Sequence, residues 1–123
     1  MLNQHQQFGK ESEILAVQYL RKQGYKILET NFKTRLGEID IIAKDKGTLV
    51  FVEVKSRHTG RFGSPKLSVT YKKQKKISMV ALSYLKSTHQ LNVKARFDVV
   101  AMTSKSSNPK IEIVKNAFEL AYQ

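Results

Sequence analysis

The sequence predicts an α/β fold, a mixed central sheet flanked by helices, and three observations carry that expectation. Helical and strand periodicities succeed one another in the order α-β-β-β-α-β-β, the pattern of a sheet covered by helices. The chain has 123 residues, the size of one domain, and no repeat or Pro/Gly/Ser-rich linker divides it, so residues 1–123 are taken as a single unit. Its 41% hydrophobic and 26% charged residues are the proportions of a chain that folds around a packed core.

The first helix is expected over residues 10–23. Glu13, Ala16, Val17 and Leu20 recur at the three- and four-residue spacing of one helical face, and Gly24 stands where a helix would stop. Tyr25 to Phe32 reads as a short strand, Ile39 to Lys44 as a second and Thr48 to Ser56 as a third. Asp45-Lys46-Gly47 joins the last two in a tight turn, with Gly47 free to take a positive φ. Arg57 to Pro65 has no period and is read as a loop. A longer helix follows over Val69 to Ser87, with Ile77, Val80, Ala81, Tyr84 and Leu85 inward and Lys72, Lys75, Lys76 and Lys86 outward. Val93 to Thr103 is a strand, Asn108-Pro109 a turn and Ile111 to Val114 a further strand. Asn116 to Ala121 is assigned a terminal helical turn.

Several classes are disfavoured. The longest aliphatic or aromatic runs, such as Leu49-Val50-Phe51-Val52, are four residues, against the roughly 20 of a membrane span. The N-terminal MLNQHQQFGKESE lacks the apolar stretch of a secretory signal, and there is no cysteine for a disulfide or a thiolate metal site. A cytoplasmic address and no membrane partner are expected.

The net charge of +12 is concentrated. Residues 1–53 carry eight Lys or Arg against seven Asp or Glu, residues 98–123 three against three, and residues 54–97 eleven against none. A one-sign segment in a folded chain attracts a polyanion, of which nucleic acid is the commonest. Arg57, Arg61 and Lys66 of the loop and Lys72, Lys73, Lys75 and Lys76 of the second helix are the candidate phosphate contacts. A basic surface that serves solubility, touches anionic lipid or meets ribosomal RNA is the plainer reading of the same charge.

The chemistry-bearing stretch is Gly37-Glu38-Ile39-Asp40-Ile41-Ile42 followed by Phe51-Val52-Glu53-Val54-Lys55. Alternation puts Glu53 and Lys55 on one strand face, and a hairpin that sets Asp45 opposite Thr48 sets Asp40 opposite Glu53, with side-chain bases roughly 5 Å apart. Two carboxylates among apolar strands are costly unless a positive charge lies between them. A hard divalent cation, Mg²⁺ or Mn²⁺, supplies that charge, takes oxygen ligands, and acidifies water or polarises a phosphoryl oxygen. Lys55 would then orient the attacking water or stabilise transition-state charge. A solvated strand face is the bland alternative, and Glu-x-Lys alone says little. Glu13 adds a further acid on an apolar helix face, where a structural salt bridge competes with a site role. Asp98 is read as satisfying a strand end beside Arg96. His5, His58 and His89 have no ligand spacing and receive no catalytic role; His58 is at most a phosphate contact.

GEIDIIA, FVEVKSR and RFDVV, with Gly9, Glu13 and Ala16 before them, resemble the YraN family of small bacterial proteins over residues 9–103. That family is similar to archaeal Holliday-junction resolvases within the PD-(D/E)xK nuclease superfamily. The resemblance implies a restriction-endonuclease-like fold and a metal-dependent endonuclease acting on DNA, branched or junction DNA included. It implies Asp40 and Glu53 as the motif acids, Lys55 as the motif lysine, and Glu13 as the N-terminal-helix acid that joins Asp40 and Glu53 on the metal. Ile39 stands where the motif has its proline, a position that ligates nothing. Superfamily nucleases often place a polar site residue where Gln74 lies, one turn before Ile77, although a cap or a buried hydrogen bond explains Gln74 equally well. Glu38 is a candidate outer acid. By analogy with two-fold junctions a homodimer is implied. The alternative function is a non-catalytic nucleic-acid-binding module or accessory subunit.

Overall fold

A computed structural model of the chain describes residues 4–57, 69–103 and 110–119. Helix α1 spans Gln4–Lys22, β1 Lys26–Thr34, β2 Gly37–Asp45, β3 Thr48–Arg57, α2 Tyr71–Ser87, β4 Ala95–Thr103 and β5 Lys110–Phe118. The order is the expected one. Helix α1 begins six residues before its expected start, because the glutamines of its polar first turns form helix well but carry no apolar period. It ends at Gly24, whose φ of +94° lets the Tyr25 N–H fold back onto the Leu20 carbonyl at 2.9 Å. The turn between β2 and β3 is the expected two-residue one: Lys46 and Gly47 have φ of +50° and +88°, and Asp45 pairs with Thr48. Thr70 caps α2 by accepting the Lys73 N–H, which moves the helix start two residues past Val69.

The sheet order is β1-β2-β3-β4-β5. Strands β3 and β4 are parallel, joined through α2, and the other three pairs are antiparallel. The two helices cover opposite faces. On one, Ile77, Val80, Ala81, Tyr84 and Leu85 of α2 pack on Ile42, Leu49, Phe51, Phe97 and Val99, with the Phe51 and Tyr84 rings edge to face at 5.9 Å. On the other, Ala16 and Leu20 of α1 pack on Ile41, Ala43, Val50, Val52, Val100 and Met102. Strand β3 is therefore buried on both sides, as its unbroken apolar run requires.

One element differs from expectation. Asn116, Ala117 and Phe118 continue β5 where a helical turn was expected from Asn116 to Ala121; residues 120–123 lie outside the described residues. The Phe118 ring stacks on Phe97 at 4.7 Å, and packing of this kind overrides a local pattern. A bulge makes it fit, with Asn116 at φ +53° and its N–H donated to Asp98 Oδ1 at 2.9 Å. The loop after Arg57 and the Asn108-Pro109 turn lie outside the described residues. Among the described residues no helix is long and apolar enough to cross a membrane.

Candidate functional site

Backbone pairing between β2 and β3 runs from Asp45 and Thr48 to Ile41 and Val52 and stops there. One step further the same register would bring Asp40 opposite Glu53. At that step the Asp40 carboxylate, rather than a backbone carbonyl, accepts the Val54 N–H at 2.8 Å. A pocket of about 500 Å³ opens at this end of the sheet, lined by Glu13 from α1, Asn31 from β1, Asp40, Glu53 and Lys55 from the strand pair, and Lys73 from α2. Four residues singled out from sequence, Glu13, Asp40, Glu53 and Lys55, thus meet in one place.

Their arrangement is uneven. Carboxylate oxygens of Glu13, Glu38 and Asp40 lie within 4.8 Å of one another, so Glu38 stands inside the acidic cluster. Glu53, only 6% exposed, faces cations instead: Lys73 Nζ lies 2.6 Å and Lys55 Nζ 3.9 Å from its Oε1. The crowding is visible in the proton affinities. Burial, then the Glu53 charge, pushes Asp40 up to about 7 against the pull of the Val54 N–H. Burial and then Glu38 raise Glu13, against the Asn31 amide. Lys55 is lowered by burial and then by Lys73. Burial also pulls on Lys73, but its bond to Glu53, with Lys55 and Asp40 nearby, holds it above the usual lysine value.

Asn31 and the pocket role of Lys73 escaped the sequence reading. With its amide nitrogen turned to the acids, Asn31 donates to Glu38 Oε1 at 2.9 Å and lies 3.2 and 3.3 Å from the two Glu13 oxygens. Its backbone is left-handed, φ +53°, in the middle of β1. The available signal was an asparagine, poor in strands, interrupting a strand across from Asp40. Lys73, expected among the phosphate contacts, has its ammonium on Glu53, whereas Lys72, Lys75 and Lys76 are exposed. Gln74 donates to the Val69 carbonyl at 2.9 Å, the hydrogen-bond alternative named for it. Arg61, Lys66, His58 and the side chain of Arg57 lie outside the described residues.

Asp98 marks a second polar cluster on the α1 face of β4. Fully buried, it accepts from Tyr25 Oη and from Arg96, whose guanidinium also reaches Asp45 at 2.8 Å. Its partners saturate it, which fits the structural reading of Asp98 beside Arg96.

The family model described as "Uncharacterised protein family UPF0102" matches residues 12–102. The chain belongs to the UPF0102 family. Its motifs thus lead to the family expected of them, YraN. Among UPF0102 relatives, a protein of Desulfosudis oleivorans is 52% identical over 97% of this chain and 95% of its own length. One of Geobacter metallireducens is 54% identical over 93% of each chain. One of Syntrophus aciditrophicus is 49% identical over 98% and 95%. The UPF0102 match takes in α1 from Ser12, the acidic strand pair, α2 and nearly all of β4, so every described residue of the pocket except Lys10 lies within it.

Proposed function

We propose that the pocket holds a divalent cation and that the protein is a metal-dependent endonuclease hydrolysing phosphodiesters of DNA, branched DNA included. The observation that carries this reading is the Asp40 carboxyl, pushed to about 7 where the β2–β3 ladder ends, with Glu13, Glu38 and Glu53 around it. A set of carboxylates held this close suits a hard cation, since a double positive charge relieves the repulsion that raises Asp40 and Glu13. Asp40 and Glu13 would hold it, with Glu38 in the same cluster and Glu53 joining them where Lys73 gives way. Bound there, Mg²⁺ or Mn²⁺ would polarise a phosphoryl oxygen and make water a better nucleophile.

The remaining roles belong to the chain's own side chains. Lys55 projects from the same strand face as Glu53 and has a lowered proton affinity, which suits a group that orients water or meets charge on the reacting phosphate. Lys72, Lys75 and Lys76, exposed on the first turns of α2, would track the phosphate backbone without reading sequence. One observation favours the alternative, a binding module without catalysis: the Lys73 ammonium already neutralises Glu53.

The deciding experiment incubates the protein with duplex, single-stranded, flapped and four-way DNA and with RNA, in Mg²⁺, Mn²⁺, Ca²⁺ or EDTA. The nuclease reading expects product in Mg²⁺ or Mn²⁺, little in Ca²⁺, whose looser shell positions water poorly, and none in EDTA. Tight binding without cleavage of any substrate in Mn²⁺ leaves the binding module.

A further inference from the structure

Two lysines share one buried carboxylate. Lys55 Nζ is 3.9 Å from Glu53 Oε1 and Lys73 Nζ 2.6 Å from the same atom, so Glu53 holds two like charges in a space where one would balance it. The two differ in freedom. Lys55 stands on β3 where that strand pairs with Ala101 of β4, and its side chain is 24% exposed. Lys73 rises from the first turn of α2 on a long flexible stem, and its side chain is 44% exposed. It also stands among Lys72, Lys75 and Lys76, which are exposed on the same turns.

We infer that Lys73 is a substrate-binding residue held in reserve: it neutralises Glu53 while the pocket is empty, and a divalent cation on Glu53 releases its ammonium to a backbone phosphate of nucleic acid. The inference rests on the cation reading of the pocket. The physical reason is competition for one carboxylate. A dication beside Glu53 takes up its negative charge and repels an ammonium at contact distance, and Lys73, the nearer and more exposed of the two lysines, is the one displaced toward solvent. Its next favourable partner is an anion at the mouth of the pocket. Metal and nucleic acid thereby strengthen each other's binding, and linkage makes the effect reciprocal.

Lys73→Met tests this by two readouts that need no turnover: Ca²⁺ affinity by titration calorimetry, and binding of a fluorescein-labelled four-way DNA in Ca²⁺ and in EDTA. Without its competitor the cation should bind Lys73→Met about fivefold more tightly than wild type. DNA affinity should fall about fivefold in Ca²⁺ and stay within about twofold of wild type in EDTA, where the wild-type ammonium is engaged by Glu53. Lys73→Arg, which keeps the charge, should retain most of the gain in DNA affinity that Ca²⁺ gives the wild type, and it remains informative if the methionine variant folds poorly. An equal loss of DNA affinity with and without Ca²⁺, or an unchanged Ca²⁺ affinity, overturns the release of Lys73 while leaving the cation site standing. Failure of wild type itself to bind Ca²⁺ overturns the cation reading and this inference with it.

Discussion

The Asp40 carboxylate accepts the Val54 N–H at 2.8 Å, one residue beyond the last backbone pair of β2 and β3. It therefore closes a backbone donor that the ending ladder would leave unsatisfied, and at the same time stands beside Glu53 as an acid. Asp40→Asn separates the two roles, because the amide oxygen can still accept the Val54 N–H while the charge is gone. The sign follows from the proton affinity, ordinarily 3.8 and about 7 in the folded chain. An acid raised by folding costs stability as pH climbs from its unfolded to its folded value, so the wild-type penalty is absent below 3.8 and complete above about 7. Metal-free Asp40→Asn should match wild type in urea at about pH 3 and exceed it at about pH 8 by about 1 kcal/mol, discounted for the partial exposure of the group. Equal midpoints at pH 8 would mean that Asp40 is not crowded.

The same raised acid governs cation binding. A carboxyl that keeps its proton up to about pH 7 must lose it to become a ligand, so the ion competes with the proton below that value and not above it. Ca²⁺ affinity should climb between pH 5 and pH 7, by up to about tenfold per pH unit for one proton, and level off by pH 8. Calorimetry in buffers of different ionisation enthalpy counts the proton directly. An affinity that is flat from pH 5 to 8 would remove Asp40 from the ligands.

Much of this geometry was legible because strand alternation and turn chemistry are local. Gly47 fixes the hairpin, the hairpin fixes the register, and the register brings Asp40 to Glu53. Glu13 was legible for a similar reason, as an acid among Ala16, Val17 and Leu20. What could not be read depends on three-dimensional neighbours. The Asn31 amide bridges acids that are remote in sequence, Glu13 from α1 and Glu38 from β2. Lys73 lies one turn before Ile77 on the buried side of α2, where Lys72 does not, so its inward placement was open to the helical period, but its partner Glu53 on β3 was not. Phe118 likewise follows its partner Phe97 into the sheet, against the local pattern that suggested a helical turn.

Asn31 ties Glu13 to Glu38 from a left-handed backbone position that most side chains resist. Asn31→Gly keeps that backbone accessible and deletes only the amide, whereas alanine would add backbone strain. The bridging donor is then lost, Glu13 and Glu38 repel without a shared partner, and Ca²⁺ affinity should drop about tenfold, the lower end for removing a supporting hydrogen bond of a metal ligand. The melting temperature should fall by only a few degrees. A large loss of stability with unchanged Ca²⁺ affinity would make Asn31 purely structural.

The Asp98 cluster should respond in the opposite way. Asp98 is fully buried and holds Arg96, Tyr25 and the Asn116 bulge, so Asp98→Ala strands a guanidinium and two other donors. Breaking such a buried pair costs about 3 kcal/mol or more, while Tyr25→Phe, which removes a neutral hydroxyl that donates to Asp98 and accepts from Arg96, costs about 1–2 kcal/mol. Urea denaturation gives both values. Cation affinity of whatever fraction remains folded should be that of wild type. A proportional fall in cation affinity for Tyr25→Phe would connect this cluster to the pocket.

The exposed lysines of α2 offer the cleanest separation of binding from folding. Lys72, Lys75 and Lys76 fall at positions i, i+3 and i+4, so they are neighbours on one helical face, and α2 has no acidic residue to balance them. Replacing all three by glutamine relieves repulsion within the helix, and thermal stability should hold or rise by a few tenths of a kcal/mol. Nucleic-acid affinity should fall, and the slope of log K against log salt should shrink by up to about three, since each neutralised phosphate contributes close to one. Because the variant is at least as stable as wild type, weaker binding cannot come from unfolding. Because Lys73 is retained, Ca²⁺ should still increase DNA affinity by the same factor, which separates the helix surface from the pocket. An unchanged slope would move the phosphate-binding surface off α2 and onto the Arg57, Arg61 and Lys66 segment.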